Sequence, residues 1–213
     1  MLRGEGYIHL NFNPPRWSWD FDKIVNLDLS DNVVGLLVKE MQRLDADLQL
    51  ALKVASCLPS CVDYFIFDIL SKDLNIDLRS LLSQVVKKGF MINVGDDKIR
   101  FAHDKIQQAA YELLTEEERM KNHMRFGLAI CSQVLNAGVG EHDDMFFLAV
   151  NQINRGGPGM LTNPNQRVMI AGLNKKAGER SIELSDLSTA QKLFEQGEKT
   201  WFDSYPDDCL IRA

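Results

Sequence analysis

Hydrophobic and polar residues alternate with a period of two at the start of the chain and follow a helical period almost everywhere after it. Tyr7-Ile8-His9-Leu10-Asn11-Phe12 alternates as a half-buried strand does. Asn13-Pro14-Pro15 turns the chain, because consecutive prolines cannot continue a ladder. Arg16-Trp17-Ser18-Trp19-Asp20 alternates again, so the pair reads as a two-stranded ribbon with both indoles on one face. Such a ribbon is marginal alone, and it is expected to be the tail of a domain lying upstream of Met1.

Ser30-Asp31-Asn32 offers capping oxygens ahead of Val33, Val34, Leu37 and Met41, which predicts a helix from about Asn32 to Arg43. Asp45 is expected to cap a second helix carrying Leu48, Leu52 and Ala55, stopped by Pro59. Asp63 opens a short helix through Phe67 and Leu70. Asp77 opens another that buries Leu78, Leu81, Leu82, Val85 and Val86, with Gly89 at the left-handed position beyond its end. The period then changes: Phe90 to Val94, Gly95-Asp96-Asp97, and Lys98 to Phe101 predict a β-hairpin with Ile92 and Val94 facing Ile99 and Phe101. Three helices followed by a two-stranded wing is the order of a winged helix, placed at residues 46–114 and closed by a helix from Asp104 to Leu114.

The remainder is expected to be helical, so the fold class is mainly α. Thr115-Glu116-Glu117-Glu118 is a capping box ahead of Met120, His123, Phe126, Ile130 and Val134. Asp143 or Asp144 caps a helix bearing Phe146, Phe147, Val150 and Ile153, which Gly156-Gly157-Pro158-Gly159 ends. Asn163-Pro164 is a cap with proline at the first helical position, for a helix reaching about Leu184. Ser188 is expected to start the last helix, with Ala190, Leu193, Phe194, Gly197 and Trp201 along one side. Gly178, Ala190 and Phe194 keep the small-small-large spacing of a tetratricopeptide repeat, although Asn174 and Ser181 stand where aromatic residues are usual. Repeat units come in sets and only one fits here, so the array is expected to continue past Ala213.

The 213 residues are 45% hydrophobic and 25% charged, which describes a globular chain and excludes disordered and fibrous classes. A net charge of -6 argues against a surface built to neutralise nucleic-acid phosphates. The helix that would enter a major groove, Asp77 to Lys88, has only Arg79, Lys87 and Lys88 as basic residues, and the wing tip adds Asp96 and Asp97. A DNA-binding regulator is therefore the third reading, and no nucleic-acid partner is expected. Four sparse cysteines fit a reducing, cytoplasmic setting. No apolar run is long enough for a membrane span.

Catalytic signatures are missing. No Gly-x-x-x-x-Gly-Lys-Ser/Thr, His-Glu-x-x-His, Gly-x-Ser-x-Gly or kinase motif occurs, and the Arg155-to-Met160 stretch reads as a loop between helices. Cys57 and Cys61 have no second Cys/His pair, so they read as small buried thiols and no metal site is expected. His9, His123 and His142 read as surface or cap residues, and Trp17, Trp19 and Trp201 as packing anchors. Phe101-Ala102-His103-Asp104 lies at the junction of wing strand and helix. There His103 or Asp104 caps the helix, or His103 projects to donate a hydrogen bond to a bound phosphate.

Several stretches together resemble a known family: Arg16 to Asp20, Asp31-Asn32-Val33-Val34, Phe101-Ala102-His103-Asp104-Lys105-Ile106-Gln107-Gln108-Ala109-Ala110-Tyr111 and Asn151-Gln152-Ile153-Asn154-Arg155-Gly156. In this order they resemble the region behind the nucleotide-binding core of STAND-type AAA+ ATPases, found inside multi-domain serine/threonine kinases and hybrid sensor histidine kinases. The resemblance implies the end of an ATPase lid at 1–45, the winged helix at 46–114, and the start of a helical array at 115–213. It also implies that ADP or ATP with Mg is bound in the parent protein and not by this chain alone. The implied partners are an upstream P-loop ATPase domain, a kinase module, and a protein on the repeats.

In that family the histidine of a Met-His-Asp motif contacts the β-phosphate of ADP and holds the closed state. Here Ala102-His103-Asp104 matches the last two positions, with alanine replacing methionine. The chain alone is thus expected to be a non-catalytic regulatory piece of a signalling ATPase. A free-standing helical adaptor is the alternative.

Overall fold

The computed structural model describes residues 8–12, 15–19, 29–137, 143–161 and 163–202. Among these, β1 (Ile8–Phe12) and β2 (Pro15–Trp19) form an antiparallel ribbon that sets Leu10 opposite Trp17 and Ile8 opposite Trp19. The side-chain placements expected for His9, Trp17 and Trp19, and the position of His142, lie outside the described residues.

Helix α1 (Leu29–Gln42) starts three residues ahead of the expected Asn32 and packs against a later helix, α5 (Asp104–Glu112). Helix α2 (Ala46–Ser56) is the centre of the first half: Leu48, Ala51, Leu52, Val54 and Ala55 are all buried. Its N-cap is Asp45, whose carboxylate makes no capping bond, and the chain leaves the helix before Pro59. Helix α3 (Tyr64–Leu74) follows, and α4 (Leu78–Lys87) buries Leu78, Leu82 and Val85. Asp77 caps α4 by accepting the Ser80 N–H at 3.1 Å. At the far end Gly89 takes φ +82°, and the Gly89 and Phe90 N–H groups donate to Val86 and Val85. That paired bonding is the Schellman arrangement, and it requires the left-handed residue found there.

The sheet differs from the expected two-stranded wing. A third strand, β3 (Cys61–Asp63), pairs antiparallel with β5 (Lys98–Phe101), which pairs with β4 (Met91–Val94), giving the order β3-β5-β4. Cys61 is exposed on this edge strand, so it is not the small buried thiol expected; Cys57 is buried. The hairpin register also differs by one residue: Met91 stands opposite Phe101, Ile92 opposite Arg100 and Val94 opposite Lys98. Met91, Ile99 and Phe101 therefore face the core, while Ile92 and Val94 are exposed. A one-residue slip moves every side chain to the other face, and the buried Val62–Ile99 pair between β3 and β5 fixes which face wins.

The second half is a run of helices, each in contact with the next. Helix α6 (Glu116–Ala137) opens on the expected capping box, with Thr115 N–H to Glu118 at 2.8 Å and Glu118 N–H to Thr115 Oγ1 at 3.2 Å. Helix α7 (Asp143–Gly156) packs along α6, and Gly127 of α6 allows close backbone approach: a Cβ there would sit 2.6 Å from the Ile153 nitrogen. A short 3₁₀ turn (Pro158–Met160) leads to α8 (Pro164–Glu183), capped by Asn163 with proline in the first turn. Ser185 (φ +63°) reverses the chain into α9 (Leu187–Phe202). The cap of α9 is Asp186, which accepts the Thr189 N–H at 3.0 Å, so the helix begins one residue ahead of the start expected at Ser188. Along α9 the buried side is Ala190, Leu193 and Thr200, whereas Phe194 and Trp201, expected on that side, are exposed.

Candidate functional site

The junction between β5 and α5 carries the two predicted site residues. Ala102 N–H extends the hairpin by bonding Phe90 O at 3.0 Å, and the chain then enters α5 through His103 in extended conformation. His103, not Asp104, is the cap: its Nδ1 accepts the Lys105 N–H at 3.1 Å. Asp104 occupies the first turn, where a carboxylate complements the helix dipole. Both side chains are exposed.

With Nδ1 accepting the cap bond, the ring proton lies on Nε2, which is left as the donor. An exposed N–H donor at a helix N-terminus is a favourable place for an anion. Among the described residues no group of three or more His, Cys, Asp or Glu side chains is placed to hold a metal ion.

Behind this tip, α5 is anchored by residues that sequence reasoning missed as a site. Gln107 and Tyr111 follow His103 at successive four-residue steps and so share its face. Gln107 donates to Leu58 O at 2.9 Å, satisfying a carbonyl at the end of α2. The neighbouring Cys57 O receives Gln152 Nε2 from α7 at 3.1 Å. Gln152 Oε1 meets His123 Nδ1 at 2.6 Å, and His123 Nε2 meets the Tyr111 hydroxyl at 2.9 Å. With the Gln152 amide nitrogen committed to Cys57, its oxygen must accept, so His123 donates from Nδ1 and accepts Tyr111 O–H at Nε2. Tyr111, His123, Gln152 and the end of α2 thus form one directed relay.

His123 is only 2% exposed, which overturns its reading as a surface or cap residue. Burial lowers its pKa, and the Gln152 hydrogen bond opposes this while the Arg155 charge adds to it. Burial also pushes the Cys57 thiol up to about 12. The signal for this relay was in the sequence: Gln107 and Tyr111 lie in the His103-to-Tyr111 run, and Gln152 in the Asn151-to-Gly156 run. Two other residues of that second run, Asn154 and Gly156, serve packing between helices. Asn154 and Asn174 exchange amide hydrogen bonds at 2.8 and 3.0 Å, and a Cβ at Gly156 would lie 2.8 Å from Met124 Cβ.

On the helix with the candidate DNA-facing position, one of the three basic residues is engaged within the chain. Arg79 pairs through two nitrogens with Asp68 and stacks over Tyr64 at 5.0 Å. The stretch from Arg155 to Met160 includes the last residues of α7 and the 3₁₀ turn, with Gly157 at φ +78°. No helix among the described residues is long and apolar enough to cross a membrane.

No protein-family model matches the chain, and no solved structure matches it. The chain is similar to hybrid signal transduction histidine kinase G of Dictyostelium discoideum, with 20% identity over 164 residues. That match covers 59% of this chain and 5% of the histidine kinase's length.

Proposed function

We propose that this chain is a non-catalytic regulatory segment of a cytoplasmic STAND-type signalling ATPase in a protein-kinase pathway. In this reading α2 to α5 with their sheet act as a winged helix, and α6 to α9 begin a tetratricopeptide-like array. The observation that carries it is His103: capped through Nδ1, exposed, and therefore offering an Nε2–H donor outward. His103 and the N-terminus of α5 would hold one corner of the ADP phosphates. The remaining phosphate cradle and the Mg ligands would come from a P-loop domain elsewhere. The bound nucleotide would supply the charge that makes closure of the two domains depend on phosphate state.

The similarity to a hybrid histidine kinase supports a signalling role, and the relay supports the coupling. A phosphate contact made in only one conformer shifts the equilibrium toward that conformer. Here the contacting side chain sits on a helix that Gln107 and Tyr111 fasten to α2 and, through His123, to α6 and α7. Displacing His103 would therefore move the start of the helical array with it.

The test is ADP retention by the protein in which this segment adjoins its P-loop domain. His103→Ala removes a hydrogen bond to a charged group, about 1.5–3 kcal/mol, so ADP affinity should fall by roughly tenfold to 150-fold. His103→Asn restores a capping oxygen and separates loss of the cap from loss of the phosphate contact. Unchanged ADP affinity in His103→Ala, or ATP turnover by residues 1–213 alone, would overturn this reading.

A further inference from the structure

Asn151 and Arg155 take no part in the relay or in packing between helices, although they belong to the Asn151-to-Gly156 run. They lie four residues apart on the exposed face of α7. That face is one wall of a groove of about 610 Å³ between α7 and α9. Lys192 and Gln196, also four residues apart, line the wall formed by α9, and Phe147, Leu184 and Leu193 supply an apolar lining. The groove is on the side of α9 turned toward α7, opposite Gln191 and Phe194, so a helix following α9 in an array would pack on its other side.

The uncommitted polar groups of this groove are cations and amides. Arg119, Arg125, Arg167 and Arg180, the other arginines of α6 to α9, each bond within the chain. Arg155, Lys192, Asn151 and Gln196 make no side-chain hydrogen bond or ion pair among the described residues. The two carboxylates at the groove are both engaged: Asp186 caps α9, and Glu195 accepts Gln191 Nε2 at 2.8 Å, which draws it toward the far side of the helix. We propose that the groove binds an extended acidic segment of a partner protein, its carboxylates held by Arg155 and Lys192 and its backbone by Asn151 and Gln196. The length fits: Phe147 to Arg155 rises about 12 Å along α7, which about four residues of extended chain span. Side-chain amides both donate and accept, as a peptide backbone requires. Leu184, 53% exposed, offers contact to an apolar side chain between the acids. This names the partner chemistry for the proposed array, and rests on that reading of α6 to α9 but not on His103.

Capped peptides in which glutamates flank a pair of leucines test it by calorimetric titration into the full chain, with glutamine or lysine replacing glutamate as controls. The glutamate peptide should bind with Kd on the order of 50 μM, and the two control peptides at least about tenfold more weakly. Arg155→Gln and Lys192→Gln should each weaken the glutamate peptide about fivefold, and the double variant Arg155→Glu/Lys192→Glu should favour the lysine peptide. Asn151→Ala/Gln196→Ala should instead weaken the glutamate and glutamine peptides alike, because backbone contacts do not read charge. All four residues are exposed, so these variants should keep the urea midpoint of the wild-type chain. Equal binding of the three peptides, or binding of none, overturns the proposal. So does a glutamate peptide that ignores the loss of Arg155 and Lys192, or self-association of the chain that Arg155→Gln abolishes. A gain of about tenfold on removing residues 203–213 would assign the groove to the chain's own end and overturn it too. None of these variants lies on α5, so a failure here leaves the ADP test of His103 standing.

Discussion

Replacing His123 by phenylalanine probes the relay directly, because phenylalanine keeps a ring of similar size and removes both nitrogens. In the wild-type protein every polar atom on the path from Tyr111 to Cys57 has a partner, with His123 neutral. The variant leaves Gln152 Oε1 unpaired in a residue that is 2% exposed, while Tyr111 is part-exposed and its hydroxyl can turn to water. One buried acceptor without a partner costs about 1–3 kcal/mol, and losing the Tyr111 bond adds about 1 kcal/mol, so His123→Phe should destabilise by about 2–4 kcal/mol at pH 7.5. Urea unfolding followed by circular dichroism measures this. Adding Gln152→Leu should recover part of the loss, because the unpaired acceptor disappears with its side chain.

The same variant carries a pH signature with a defined sign. Burial lowers the His123 pKa in the folded chain, so below the unfolded value of about 6.5 the unfolded state binds the extra proton. The stability contributed by neutral His123 is whole above pH 6.5. It is lost as pH falls through that value toward the folded pKa, with a slope approaching about 1.4 kcal/mol per unit. The depressed carboxylates of Asp68 and Asp186 contribute in a lower window, since their stability is lost as pH falls through their folded pKa values below the usual carboxylate range. Between pH 7.5 and about 5.5 the wild-type chain should therefore lose stability and His123→Phe should lose less. Parallel pH profiles, or a loss below about 0.5 kcal/mol at neutral pH, would refute the buried, neutral relay.

Two further outcomes follow from packing. Gly127→Ala would place a methyl 2.6 Å from the Ile153 nitrogen and 2.8 Å from Ala149 O, both backbone atoms that cannot swing aside. It should cost about 1–3 kcal/mol by forcing α6 and α7 apart, read as a lowered urea midpoint. Among the described cysteines, Cys61 should react with iodoacetamide in the folded chain, while Cys57 and Cys131, both buried with raised pKa, should react only after unfolding, as mass spectrometry would show.

The features that were legible in the sequence are those set by local chemistry. Asp77, Thr115 with Glu118, and Asn163 with Pro164 cap helices because each group bonds within three residues of itself, and Gly89 holds a conformation that only its own backbone decides. What escaped is long-range. Cys61–Asp63 is too short to show a period and is a strand only because Lys98–Arg100 lies beside it. His123 looks like any exposed histidine until Gln152, 29 residues away, is brought to its ring. At the site, a cap at His103 or Asp104 was legible, but which of the two it is was not, since that follows from the bond between Lys105 N–H and His103 Nδ1.

Magnitudes limit what His103 can do within the proposed mechanism. Carrying a two-state equilibrium from one part in a hundred to ninety-nine takes about 5.5 kcal/mol of differential binding. One hydrogen bond to a charged phosphate supplies about 1.5–3 kcal/mol. The imidazole therefore biases closure without completing it, and a full switch needs a second, state-dependent contact. The helices are connected so that such a contact could act far from the nucleotide. The relay ties α5 to α6 and α7, the paired amides of Asn154 and Asn174 tie α7 to α8, and Gly178 against Phe194 ties α8 to α9. Phosphate at His103 and a second contact made along that series would then sum on one conformational equilibrium.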